Sequence, residues 1–188
     1  VRRATNAEGR RAIGRLIAEM VPDGAAVILG GGATLEAVAE ALAQRRGLTV
    51  VTNSVPNCLK LSGRNGHRIH LLGGTLQATN QTTLGGDAAE MLSKYYANFA
   101  IIGAGAISRQ GEIMDYTLEE AELYRKMLRS AETVIVAADH SCFGSIALVR
   151  VESLEEATYV VTDAELEPEF ADVLGRLPVK VLVAGGSS

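Results

Sequence analysis

Tryptophan is missing from this sequence, and tyrosine and phenylalanine number only five and three. With 47% of residues apolar all the same, Ala, Val, Leu and Ile must fill the interior, which is the composition of an α/β protein. Cysteine is scarce too. Cys58 and Cys142 stand far apart in a chain large enough to hold a core without staples, so a disulfide framework is not indicated and a reducing compartment, the cytoplasm, is expected. Cations are outnumbered: 18 Lys and Arg face 22 Asp and Glu, a net charge of −4. A surface that grips nucleic acid clusters Lys and Arg, so these residues are not expected to read DNA, and a DNA role would need another segment. No apolar run approaches the roughly 18–20 residues of a membrane span, and the first residues lack the apolar stretch of a signal peptide. The chain opens on Val1 with Arg2 and Arg3 ahead of the first helix, which suggests a piece of something longer. Its 188 residues suit one domain.

What is present is alternation. Short β-branched or apolar runs at Ala25–Leu29, Leu48–Thr52, Arg68–Leu72, Phe99–Ile102, Thr133–Ala138, Tyr159–Thr162 and Val179–Val183 are separated by helical stretches. Such runs, apolar throughout, predict an open, mainly parallel sheet of about six or seven strands with helices on both faces. Thr5-x-x-Glu8, Thr117-x-x-Glu120 and Ser153-x-x-Glu156 read as capping boxes that start helices. Ser54 followed by Pro56 reads as another helix start, and Ile13, Leu16, Ile17 and Met20 form the stripe of a helix lying on the sheet. The Gly185–Ser188 tail reads as frayed.

In an open parallel sheet, ligands sit beyond the carboxyl ends of the strands. Here the loops leaving those ends are rich in Gly, Ser and Thr. Gly30-Gly31-Gly32-Ala33-Thr34 runs from a strand into the helix of Leu35, Val38 and Leu42. Its bare backbone and helix N-terminus suit an anion, although glycines also make tight turns. Neither a Gly-Lys-Ser/Thr sequence nor a complete dinucleotide fingerprint follows, which disfavours ATP, GTP and NAD. Thr52-Asn53-Ser54 offers groups that donate and accept, as a polyol requires, or a simple helix cap. Gly73-Gly74-Thr75, with Thr82, Thr83, Gly85 and Gly86, makes another polar strand exit, and Gly103-Ala104-Gly105 a further one. Asp139 in Asp139-His140-Ser141-Cys142 is a candidate hydrogen-bond acceptor. Adjacency of these four argues against a catalytic triad, and His140 and Cys142 with distant His67 or His70 lack metal-ligand spacing. Glu119, Glu120 and Glu122 are expected to be solvated carboxylates at a helix start, leaving Asp115 as the ligand contact from that loop.

Taken in order, Leu29-Gly30-Gly31-Gly32-Ala33-Thr34, Val51-Thr52-Asn53-Ser54, Leu72-Gly73-Gly74, Gly103-Ala104-Gly105-Ala106-Ile107-Ser108, Glu120-Ala121-Glu122, Ala138-Asp139-His140-Ser141 and Val161-Thr162-Asp163 resemble the effector-sensing domain of DeoR-family transcriptional regulators. The resemblance covers nearly the whole chain. It implies a fold like ribose-5-phosphate isomerase, glucosamine-6-phosphate deaminase and CoA transferases, and a sensor that binds a phosphorylated sugar. It also implies an N-terminal winged helix-turn-helix, matched by nothing here, that reads DNA. Three positions depart from the family pattern, which has Asp at Gly30 and Lys at Tyr124 and at Cys142. Losing two cations weakens the grip on a phosphate unless Arg109 or Arg125 substitutes.

The expected function is therefore a non-catalytic sensor, a repressor's effector domain, with no metal and no cofactor, working as a homodimer or homotetramer. Its ligand-binding residues are expected to be Gly31, Gly32, Ala33, Thr34, Thr52, Asn53, Ser54, Gly73, Gly74, Gly103, Gly105, Asp115 and Asp139. The alternative is a sugar-phosphate isomerase or deaminase on the same fold, drawing its acid/base group from Asp139, Asp115 or the Glu cluster.

Overall fold

The computed structural model describes residues 6–185. Val1–Thr5 and the last three residues lie outside the described residues, and with them Arg2, Arg3, the Thr5 end of the first capping box and most of the tail. Seven strands form one sheet, all neighbours parallel: β1 (Ala26–Leu29), β2 (Thr49–Thr52), β3 (Arg68–Leu71), β6 (Ala97–Ile102), β9 (Ala131–Ala137), β11 (Tyr159–Thr162) and β12 (Lys180–Val183). These are the seven runs read from the sequence. The sheet order is β12-β11-β9-β6-β1-β2-β3.

Side chains alternate across the sheet. Val27, Leu29, Val50, Ile101, Ile135 and Val161 meet Ile13 and Ile17 of helix α1 (Ala7–Met20) and Leu35, Val38 and Leu42 of α2 (Ala33–Leu42). Ile28, Val51, Ala100, Ile102, Val134, Val136 and Val160 face the other way, onto α4 (Gly86–Leu92) and onto Ala121, Tyr124 and Met127 of α5 (Leu118–Leu128). Strands buried on both faces have no polar side to show, which is why they read as unbroken apolar runs. Helices α3 (Val55–Leu61) and α6 (Pro168–Gly175) complete the layers. Among the described residues, no helix is long and apolar enough to cross a membrane.

Two small antiparallel units were not expected from the sequence. The segment after β3 folds as a hairpin of β4 (Thr75–Gln77) and β5 (Thr82–Leu84). Gly74 opens it at φ 134°, where a Cβ would lie 2.6 Å from the Leu84 carbonyl oxygen, so Gly73-Gly74 is a turn into a hairpin. Thr83 is buried and spends its hydroxyl on the Leu72 carbonyl at 2.7 Å. The second unit joins β7 (Ala106–Ile107), β8 (Glu112–Asp115) and β10 (Val149–Ser153). Alternation in β8 is one residue in, one out, and such short strands offer too little periodicity to be read in advance.

The caps divide. Ser54 accepts from the Asn57 N–H at 3.2 Å and starts α3 as expected. Thr117 accepts from the Glu120 N–H at 3.2 Å and starts α5, but its hydroxyl also donates to the Glu120 carboxylate, so the box closes side chain to side chain. Ser153 caps only a single 3-10 turn, Leu154–Glu156, because the chain re-enters the sheet at Tyr159 before a helix can develop.

Candidate functional site

Strand β1 pairs with β2 on one side and with β6 on the other, and the chain continues outward in both directions from that pair. At such a switch point the crossovers leave to opposite sides, and a crevice opens beyond the carboxyl ends of the two strands. A cleft of about 230 Å³ lies there. Its walls are the β1 exit (Gly31 to Leu35), the β6 exit (Gly103 to Gly105), the β9 exit (Asp139, Ser141 and Cys142) and side chains of β8 and α5.

The β1 exit is shaped by its glycines. Gly30 continues the ladder by donating to the Ile101 carbonyl at 2.9 Å. Gly31 passes so close to β5 that a Cβ would lie 2.5 Å from Thr82 Cγ2, and Gly32 takes φ 105° as the residue before α2. The turn brings Ala33 and Thr34 to the cleft wall with the N-terminal turn of α2.

Of the thirteen residues expected to bind ligand, eight line the cleft: Gly31, Gly32, Ala33, Thr34, Gly103, Gly105, Asp115 and Asp139. The other five do not. Thr52, Asn53 and Ser54 are fully or almost fully buried and committed to the fold: the Ser54 N–H donates to Thr52 Oγ1, and Asn53 Nδ2 donates to the Thr83 carbonyl at 3.1 Å. Gly73 and Gly74 are exposed in the hairpin turn.

Asp139 is buried and caps the turn His140–Cys142, accepting from the Ser141 N–H at 2.8 Å and from the Ser141 hydroxyl. Among the described residues no group of three or more His, Cys, Asp or Glu is placed to hold a metal ion. Asp115 ends β8 with its carboxylate accepting from the Tyr116 N–H at 3.0 Å. Burial, then the neighbouring Glu120 charge and hydrogen bond, push its pKa up to about 7 against the pull of that N–H. Glu120 corrects the expectation of a solvated cluster. Glu119 and Glu122 are exposed, but Glu120 is 5% exposed and lines the cleft, because the capping turn of α5 folds it inward against Asp115. Tyr124, one turn on, is buried beside Gly30, and its hydroxyl meets the Asn53 side chain and the Gly31 N–H. Burial first, then the charges of Asp115 and Glu120, hold the phenol well above its ordinary pKa.

The cation of the cleft is neither of those anticipated. Arg109 pairs with Glu169 and lies over the Phe170 ring, and Arg125 donates to the Val151 and Arg150 carbonyls; both are outside the cleft. Arg10, from the first turns of α1, is 7% exposed and lines it. Nothing local distinguishes Arg10 from Arg11 or Arg15 in the sequence. Only its phase against Ile13 and Ile17, buried on the same helix face, could have pointed inward.

Residues 5–164 match the family described as the DeoR C terminal sensor domain. The chain belongs to that family. It is 36% identical to the HTH-type transcriptional repressor GlcR of Bacillus subtilis over 95% of this chain and 69% of that protein. To the glycerol-3-phosphate regulon repressor of Escherichia coli it is 31% identical, over 87% of this chain and 65% of that protein. The chain thus spans about two thirds of the length of these relatives. Among solved structures, ribose 5-phosphate isomerase A from Neisseria gonorrhoeae superposes with a TM-score of 0.52, covering 74% of this chain and 54% of that one at 17% identity. The Pyrococcus horikoshii translation initiation factor eIF-2B gives 0.54, covering 81% and 62%, at 18% identity. At such identities the likeness is one of fold alone, and it agrees with the isomerase-like fold that the DeoR resemblance implies.

Proposed function

We propose that this chain is the effector-sensing part of a cytoplasmic transcriptional repressor of sugar metabolism, and that the cleft binds a phosphorylated sugar without converting it. The observation that carries this reading is the buried Arg10 side chain sharing one cleft with the N-terminal turn of α2. Backbone N–H groups, a helix dipole and a guanidinium together favour a phosphate, with Gly31, Gly32, Ala33 and Thr34 as its cradle. Gly103, Gly105, Asp115 and Asp139 then face the sugar. Thr52, Asn53 and Ser54 support the wall from beneath.

A repressor role fits the relatives' names, and the part of the protein that reads DNA would be a winged helix-turn-helix ahead of this chain, in a homodimer or homotetramer matched to a symmetric operator. Ligand binding then acts by preferring one of two states of the whole protein, where typical couplings shift DNA affinity by about 5- to 150-fold. Catalysis is disfavoured on chemical grounds. An isomerase or deaminase needs a cation beside the sugar carbonyl as well as an acid/base carboxylate. Here the acid end of the cleft, Asp115 and Glu120, is backed by a neutral tyrosine.

The experiment is titration calorimetry with hexose and pentose phosphates and their unphosphorylated parents, followed by NMR of the recovered sugar. Binding of a phosphorylated sugar that is recovered unchanged supports a sensor; multiple turnover would establish an enzyme, and binding of the parent alone would remove phosphate from the reading.

A further inference from the structure

Among the residues lining the cleft, three carry carboxylates, Asp115, Glu120 and Asp139, and one, Arg10, carries a guanidinium. A sugar phosphate adds about two negative charges of its own. A plain phosphosugar would therefore enter a cleft whose carboxylates already outnumber its cation. The charges are also sorted in space. Arg10 comes from α1, whose Ile13 and Ile17 pack on one face of the sheet. Asp115 and Glu120 come from β8 and α5, whose Ile113, Tyr124 and Met127 pack in the core on the opposite face. A ligand lying across the carboxyl edge of the sheet meets the guanidinium at one end and the two carboxylates at the other.

The acid end is built as an acceptor. Glu120 Oε1 accepts from the Thr117 hydroxyl at 2.9 Å, which fixes the carboxylate, and Asp115 is held against it. Gly105 borders this end of the cleft: a Cβ there would lie 3.0 Å from the Tyr116 ring and 3.3 Å from Asp115 Oδ1. Behind the pair, the Tyr124 hydroxyl meets the Asn53 side chain and the Gly31 N–H. Two carboxyl groups thus meet at this end of the cleft, where among the lining residues the one guanidinium, Arg10, comes from the opposite face of the sheet, and such a pair is suited to a fixed positive charge.

We propose that the effector is zwitterionic, an amino-sugar phosphate whose ammonium group is held by Asp115 and Glu120 while its phosphate lies against Arg10 and the start of α2. The inference rests on the phosphosugar reading of the same cleft. Ammonium supplies the N–H donors this end lacks and offsets the excess of carboxylates. An equatorial hydroxyl at the same carbon would supply one donor and no charge, and an acetylated amine would lose the charge and add bulk.

The test is a titration of the protein at pH 7 with glucosamine 6-phosphate, galactosamine 6-phosphate, the corresponding glucose and galactose phosphates, the N-acetyl derivatives and inorganic phosphate. At least one amine should bind about tenfold or more tighter than its hydroxyl counterpart, as a charge-assisted hydrogen bond would give, with the N-acetyl form weaker than both. In Glu120→Gln the ratio of amine to hydroxyl affinity should fall to about twofold or less. Equal binding of amine and hydroxyl sugars to the wild-type protein would overturn the inference and leave the phosphosugar reading standing. No binding of any phosphate compound would overturn both, and that comparison needs no variant to fold.

Discussion

Burial and the adjacent carboxylate of Glu120 keep the Asp115 proton on until about pH 7, some three units above an ordinary aspartate. Because the folded state holds this proton more tightly than the unfolded chain, the contribution of Asp115 favours folding below the unfolded pKa and is lost as pH rises toward 7. Asp115→Asn removes that dependence. The variant's melting temperature, relative to wild type, should therefore be higher at pH 8 than at pH 5; a difference that does not change with pH would contradict the assignment. Asp163 works in the other direction. Burial would raise its pKa, but hydrogen bonds from the His140 N–H, the His140 ring and Asn6 outweigh it and hold the carboxyl below its ordinary value. Its stabilisation is present above the unfolded pKa and fades as pH falls through the folded one, so Asp163→Asn should cost more stability at pH 7 than at pH 3. Of the residues lining the cleft, Asp115, Asp139 and the β1 glycines were legible because they stand at or next to strand exits. Arg10 was not, since a helix presents its cations in every phase and only the sheet decides which one is turned in.

At the scale of elements, the five inner strands could be read because their carboxyl-end stretches are buried on both faces and largely apolar, whereas β3 and β12, at the sheet edges, are only half-buried and carry Arg68, His70 and Lys180. The hairpin β4–β5 and the β7-β8-β10 sheet could not, because strands of two to five residues are too short to show a period. Thr52, Asn53 and Ser54 stand away from the cleft wall: the Thr52 and Ser54 hydroxyls cap their own loop and α3, and Asn53 Nδ2 is turned onto the Thr83 carbonyl of β5. Capping sequences were a reliable guide where a helix had room to follow, as at Thr117, and an unreliable one at Ser153. Thr117→Ala removes a cap that also orients Glu120. It should cost about 1 kcal/mol, a fall in melting temperature of roughly 2–4 °C for a chain of this size, and should blunt any preference of the cleft for amines. A change in stability with the preference intact would mean that Glu120 is placed by packing alone.

For the whole molecule, the parallel order fixes a single crevice between β1 and β6, and the acidic balance that argued against direct DNA reading reappears locally as a cleft with more carboxylates than cations. The fold class and the family were legible from the order of short loops; the ligand proposed for the cleft was not, because that proposal rests on a guanidinium from one face of the sheet and an acid pair from the other, which only the assembled sheet brings to one cleft. Phosphate binding by this cleft, through Arg10 and the start of α2, can be tested directly. The direct measurement is thermal melting of the wild-type protein and of Arg10→Lys and Arg10→Ala against millimolar sugar phosphates, their unphosphorylated parents and inorganic phosphate. Ligand at 100 times its dissociation constant adds about 2.7 kcal/mol and should raise the wild-type midpoint by several degrees. A shift is expected with phosphorylated sugars only, reduced in Arg10→Lys and lost in Arg10→Ala. A shift of the same size in all three proteins, or one produced equally by the unphosphorylated parents, would contradict it.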